Sequence, residues 1–262
     1  MEILHKPMTG SQRRLLEEIF SGVAVLPDVP VKRVIRGSHF LAVISSRMGI
    51  CSNMRRHGQD TSNEDHRIPE SAREAASLLV HAPADFPDAP AYAMAAINSL
   101  LPVPRDTVLL KAQDLIRKQG QGKNVAVIGH FPFVDNIGGK FRNFWVLETN
   151  PKEGDLPTET AAEFLPQADV IALTATTLLN GTCADILKLI SKEAFTIMLG
   201  PSTPFAPCLF DWGINALAGC HVRDISLATS CVREGLPFKP SMGIEPLIWI
   251  RDRNSLSTRE LS

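Results

Sequence analysis

A short, unbroken apolar run at 125–128 opens a series of mainly apolar strand candidates through the second half of the chain, continued at 144–147, 170–173, 195–199, 221–222 and 247–250. A run of that length reads as a strand buried on both faces of a sheet. Helical patterns at 158–164, 182–190 and 225–233 separate several of these runs. Strand and helix alternating at this spacing imply right-handed crossovers and a mostly parallel sheet. A further helix is expected over 106–119. Val108, Leu109, Ala112, Leu115 and Ile116 form its apolar stripe, and Asp106 is placed to cap its start.

The first half has a different rhythm. Positions 11–20 carry Leu15, Leu16, Ile19 and Phe20 between charged residues, an amphipathic helix with Gly22 close after it. Strand patterns at 31–36, 39–45 and 48–54 lie close together and predict an antiparallel meander. A polar loop is expected at 57–67. A helix at 70–80 follows, with Ala72, Ala75, Ala76 and Leu79 on one narrow face. A second at 91–101 places Met94, Ile97 and Leu101 on one side. Pro102-Val103-Pro104 ends it, because proline cannot continue the helical ladder. A domain boundary is expected here. Residues 1–104 form a small α+β domain, and residues 105–262 a Rossmann-like α/β domain with a mostly parallel sheet.

Composition narrows the function classes. The chain has 262 residues, 44% hydrophobic and 21% charged, with a formal net charge of −1. That balance argues against a nucleic-acid partner, which normally needs a basic face. No apolar run approaches the ~20 residues that span a bilayer, so no membrane partner is expected. Positions 1–10 lack a basic-then-apolar leader layout, and the expectation is a cytoplasmic protein. The cysteines, Cys51, Cys183, Cys208, Cys220 and Cys231, are odd in number and contain no Cys-x-x-Cys pair. Neither a disulfide framework nor a structural zinc site is indicated. Cys208, Cys220 and His221 are the cheapest metal candidates. Cys220 and His221 are adjacent, however, and in an extended segment neighbours point to opposite faces.

Candidate chemistry gathers where parallel strands end. The run at 125–128 leads into Gly129-His130-Phe131-Pro132, without the Gly-x-Gly-x-x-Gly of dinucleotide enzymes. His130 is the best placed histidine, a possible ligand or general base, against the plainer role of fixing the turn. Glu148 closes the second run, where an acid often takes ribose hydroxyls. After 170–173 comes Thr174-Ala175-Thr176-Thr177-Leu178-Leu179-Asn180-Gly181-Thr182. Thr182 and Asp185 match a capping box with Asp in the usual Glu place, which leaves Thr174, Thr176, Thr177 and Asn180 to be explained. Buried hydroxyls need partners. Gly200-Pro201-Ser202-Thr203-Pro204 is stiffened by two prolines and would hold Ser202 and Thr203 at the mouth of the same sheet. No Gly-x-Ser-x-Gly nucleophile elbow is present.

These residues, with Glu153-Gly154-Asp155-Leu156-Pro157 and Leu165-Pro166-x-Ala168-Asp169-Val170, resemble a largely uncharacterised prokaryotic family described as "putative heavy-metal chelation". The resemblance runs through most of 125–235. Val34 to Gly37, Ala42-Val43 and Ala95-Ala96-Ile97-Asn98-Ser99-Leu100 resemble that family's companion N-terminal domain. The resemblance implies a two-domain protein, an N-terminal domain similar to that of enolase, and an active or binding site in the cleft between the domains. Heavy-metal chelation is a proposal for the family rather than an established activity. The implied ligand is a small polar molecule, a transition or heavy metal ion, or a metal chelate. Asn98, Glu148, Thr174, Asn180, Thr182, Ser202 and Thr203 would bind it, with His130 as the catalytic candidate. The rival expectations are a transferase-like enzyme with a nucleotide or adenosyl cofactor, and a non-catalytic carrier that hands a metal or cofactor to a partner.

Overall fold

A computed structural model describes residues 8–54 and 68–252; the loop expected at 57–67 lies outside them. Helix α1 (Gly10–Ala24) is longer than its sequence pattern suggests and runs through Gly22. Strands β1 (Arg33–Arg36), β2 (Phe40–Ile44) and β3 (Met48–Ser52) form the expected antiparallel meander. Two helices follow, α2 (Ala72–Ser77) and α3 (Ala89–Leu100). Ala72, Ala75, Ala76 and Leu79 are all buried. Helix α3 is buried on nearly every side, rather than along one stripe. Its many alanines let the meander and α2 approach closely from different sides. Gly49 lies tight against α3, since a Cβ there would lie 2.1 Å from the Ala95 carbonyl oxygen. Leu101 turns to extended backbone, ψ 130°, as a residue before proline must.

The sequence pattern at 106–119 misleads. Thr107–Val108 is a short strand, β4, and the helix α4 occupies Ala112–Gly120. Leu109 is exposed, and the N-cap position of α4 is Lys111 instead of Asp106. β4 pairs with a strand far along the chain, β11 (Ile244–Ile250), so the local periodicity could not show it.

The remaining strands are β5 (Asn124–Ile128), β6 (Asn143–Glu148), β7 (Leu156–Pro157), β8 (Val170–Thr174), β9 (Phe195–Leu199) and β10 (Ala216–Val222). The sheet has eight strands in the order β4-β11-β10-β9-β8-β5-β6-β7. All neighbours from β10 to β7 are parallel, and β11 and β4 add antiparallel pairs at one edge. The parallel part of the sheet starts at β5, builds outward through β6 and β7, then returns to β8 on the other side. The order therefore reverses between β5 and β8.

Helices α5 (Ala161–Phe164), α6 (Thr176–Leu179), α7 (Cys183–Leu189), α8 (Cys208–Asp211) and α9 (Ile225–Glu234) complete the fold. Both faces of the large sheet are covered. Ala126, Ile128, Ile171 and Leu173 join one core with α1, α2 and α3, while Val125, Val127, Val170 and Ala172 pack on the other side with α4. This is the period-2 alternation of a strand with apolar residues on both faces. Helix α9 leans on the meander, where Cys231 and Val232 meet Ile35 and Ile44. Among the described residues no helix is long and apolar enough to cross a membrane.

Candidate functional site

The polar residues cluster where the strand order reverses. Open parallel sheets place ligands there, outside the carboxyl ends of the two strands, because successive connections leave on opposite faces and part from one another. A cleft of about 250 Å³ occupies this position. Ile128, Leu147 and Ile186 give it an apolar component. Gly129, His130, Phe131, Glu148, Thr149, Thr174, Thr176, Thr177, Asn180 and Thr182 complete the lining.

The β5 turn is shaped by Gly129, whose φ of 101° is one that side chains rarely adopt. A Cβ there would also press to 3.2 Å from the Thr174 side chain. The turn is then pinned by Glu148. One carboxylate oxygen accepts the His130 backbone N–H at 2.8 Å; the other accepts those of Thr149 at 2.7 Å and Asn150 at 3.3 Å. Glu148 thus spends its acceptor capacity on the loop, where a ribose-binding acid would need it free.

His130 is held just as firmly. Its Nδ1 lies 2.9 and 3.1 Å from the two carboxylate oxygens of Asp155. The Asp155 side chain is only 4% exposed and also accepts the Lys152 backbone N–H at 3.0 Å. A carboxylate on Nδ1 keeps the proton on that nitrogen, so in the neutral ring the lone pair sits on Nε2. Nε2 is buried and has no hydrogen-bond partner among the described residues; the nearest charge is the exposed Asp135 carboxylate at 3.6 Å. Phe131 walls the turn and stacks on Phe133 at a centroid distance of 5.3 Å.

The hydroxyl run after β8 is partly self-satisfied. Thr174 and Thr176 share a hydrogen bond of 3.0 Å between their hydroxyls, and Thr177 donates to the Thr174 carbonyl at 2.7 Å. Asn180 accepts from the Thr182 hydroxyl at 2.7 Å and its N–H at 3.2 Å. No hydrogen bond among the described residues uses the Asn180 amide nitrogen, which remains a donor for a ligand. The capping box expected at Thr182 and Asp185 does not form. Thr182 makes no side-chain cap, and Asp185 pairs with Lys188 at 2.9 Å. The cap comes instead from α1: the buried Gln12 accepts the Ala184 N–H at 2.9 Å and donates to the Leu178 carbonyl at 3.1 Å.

His130, Glu148, Thr174, Asn180 and Thr182 therefore share one cleft. Ser202, Thr203 and Asn98 lie outside it. The loop after β9 is one strand further from the reversal and turns toward the meander. There the buried Ser202 hydroxyl accepts the Ser52 N–H at 2.9 Å and the Cys51 thiol at 3.3 Å. Asn98 donates to the Ile50 carbonyl at 3.0 Å. Asn98 and Thr203 border a second, much smaller crevice together with Arg47, Cys220 and His221. Asp155 was not assigned a role from the sequence, although the turn made by Gly154 (φ 91°) marks the loop that carries it.

The donors present do not form a conventional soft-metal cage. Among the described residues no three His, Cys, Asp or Glu side chains stand close enough to share an ion. All the cysteines are free thiols. Burial pushes the pKa values of Cys51, Cys183 and Cys220 up to about 12 and that of Cys208 to about 11, so the free thiols stay protonated.

The chain is similar to other proteins along much of its length. The model of the family described as "putative heavy-metal chelation" matches residues 111–243, just over half of the chain. An uncharacterized protein of Methanocaldococcus jannaschii is 28% identical over 123 residues, 45% of this chain; the matched stretch spans 48% of that relative. A crystal structure of a protein of unknown function from the same family, from Desulfitobacterium hafniense, superposes with a TM-score of 0.78 at 23% identity, over 91% of this chain and 100% of that one. A second, from Pyrococcus horikoshii, gives 0.73 at 19% identity, over 90% of this chain and 99% of that one. At such identities the likeness shows a shared fold. With a family model matched over half its length, the chain belongs to the family described as putative heavy-metal chelation.

Proposed function

We propose that the cleft between the ends of β5 and β8 binds a small polar molecule, and that a heavy metal reaches the protein as a chelate of that molecule. The observation that carries this reading is the buried His130 Nε2, unpartnered beside the cleft while Asp155 fixes Nδ1. A buried nitrogen without a partner is costly, and a ligand hydrogen-bond donor or an open position on a chelated metal would satisfy it. The rest of the lining supplies hydroxyls and an amide, groups suited to the oxygen atoms of a chelating molecule. A bare soft ion would demand several imidazole or thiolate ligands. One imidazole plus the metal's own ligands removes that demand.

The transferase reading has no matching support. The segment from Gly129 to β6 contains only a one-turn 3₁₀ helix, Val134–Asn136, so no long helix presents its N-terminus to a pyrophosphate. Glu148 is already bonded to three backbone amides. The test is calorimetric titration of the full chain with nickel(II) citrate, nickel(II) chloride and citrate alone. The chelate should bind more tightly than either component, and His130→Ala should lose most of that affinity. Equal binding of free nickel and chelate, or chelate binding unchanged in His130→Ala, would overturn the proposal.

A further inference from the structure

A second polar site lies at the seam where the meander and α3 meet β10, away from the cleft. The crevice there has a volume of about 20 Å³, room for one or two atoms of a ligand. Thr203 borders it and is only 3% exposed, yet its hydroxyl has no hydrogen-bond partner among the described residues. A buried hydroxyl in that condition costs free energy unless something enters to meet it. Arg47 borders the same crevice. One of its terminal nitrogens donates to the Leu100 carbonyl at 3.2 Å, and the guanidinium carries further donors.

Charged groups of both signs stand around the crevice. His221 lines the crevice, and Arg223 and Arg47 are both close enough to oppose its protonation. Burial is the larger cause of its lowered pKa, and Glu245 acts against it. Glu245 stands opposite His221 across the β10–β11 pair, and Arg223 lies 3.5 Å from its carboxylate. Among the described residues Glu245 thus has Arg223 as an ion-pair partner, whereas Arg47 beside the buried hydroxyl makes a hydrogen bond to a backbone carbonyl and no ion pair.

We propose that this crevice is an oxyanion subsite, in which Thr203 Oγ1 and the Arg47 guanidinium donate to the terminal oxygens of a phosphate or carboxylate. A cation and an unpartnered neutral donor lining the same crevice are the groups from which charge-assisted hydrogen bonds to an oxyanion are built. The volume admits the oxygens and leaves the body of the anion at the mouth. The subsite does not depend on the cleft chemistry proposed above.

The experiment is calorimetric titration of the full chain with inorganic phosphate and, separately, acetate, in chloride buffer at constant ionic strength. The variants are Thr203→Val, Arg47→Gln, Arg14→Gln and His130→Ala. At least one anion should bind saturably, and the preferred one identifies the source chemistry. Thr203→Val and Arg47→Gln should each weaken it about tenfold, the size of one lost charge-assisted bond. Arg14→Gln, which removes an exposed charge elsewhere, and His130→Ala should leave it unchanged. Thr203→Val preserves shape, so it keeps the test decisive if Arg47→Gln folds poorly. Three calorimetric results would overturn the proposal: no saturable binding of either anion, binding unaffected by Thr203→Val, or binding lost in His130→Ala. A high-resolution crystal grown with the anions that shows only a water in the crevice would do the same.

Discussion

Gln12 joins the first helix to the rim of the cleft, and replacing it should be expensive. Its side chain is fully buried, and its amide meets two backbone groups at once: the Ala184 N–H in the first turn of α7 and the Leu178 carbonyl in α6. The Ala184 N–H is one of the donors that a helix start leaves unpaired. Gln12→Leu keeps the bulk and removes both partners. Each stranded backbone group costs about 1–3 kcal/mol, and the apolar side chain recovers part of that, so the net loss should be about 2–4 kcal/mol. For a chain of this size that corresponds to a fall in Tm of roughly 5–15 °C. Equilibrium urea unfolding, with an unchanged slope as the check on two-state behaviour, measures it. Gln12→Glu adds a diagnostic. It retains an acceptor for Ala184 but buries a carboxylate against the Leu178 carbonyl, and that raises its folded-state pKa. The folded chain then binds more protons than the unfolded one, so this variant should gain stability as the pH falls toward 5. A Gln12→Leu variant within about 0.5 kcal/mol of the parent would refute the reasoning, because surface substitutions alone reach that size.

Gly49→Ala should destabilise the fold by about 3 kcal/mol or more, the upper range for overpacking. The new methyl would meet backbone atoms of Ala95, Ser99 and Asn98 at 2.1, 2.3 and 2.6 Å, and thermal unfolding that matched the parent would contradict the α3 packing. Burial lowers the pKa of His221, so below about pH 6.5 the unfolded chain takes up more protons than the folded one and stability falls with pH. His221→Gln should flatten that part of the stability curve, and a variant with the same slope as the parent would assign the pH dependence elsewhere. The cysteine thiols, raised by burial, should react with a disulfide reagent about a hundredfold more slowly in the native protein than in denaturant at pH 8. Rapid labelling of several native thiols would refute that.

The parallel strands were legible because β5 and β8 each carry four consecutive apolar residues and β9 three, a pattern suited to a sheet covered on both faces. The same reading put polar loops at the strand ends, but it expected Asn98, Ser202 and Thr203 to join them in a cleft between two domains, whereas the residues that line the β5–β8 cleft all fall within 128–186. What could not be read locally depended on distant partners. Val108 and Leu109 extend the helical stripe of α4 convincingly, and only pairing with β11 shows that β4 is a strand. The Thr182 capping box looked sufficient, yet Gln12 supplies the cap from the other end of the chain. Asp155 reaches His130 across a loop whose sequence carries no periodic signal. Ser202 and Thr203 sit at a strand end as the spacing indicates, but one strand away from the reversal. The side chains there meet the meander instead of the cleft.

The most direct test of the cleft as a chelate site is anomalous diffraction at the nickel edge from crystals of the full chain grown with nickel(II) citrate. The account predicts one strong peak in the cleft, within bonding reach of His130 Nε2, that disappears in His130→Ala crystals. A peak at Cys208, at Cys220 and His221, or on scattered surface residues, with the cleft left empty, would contradict it.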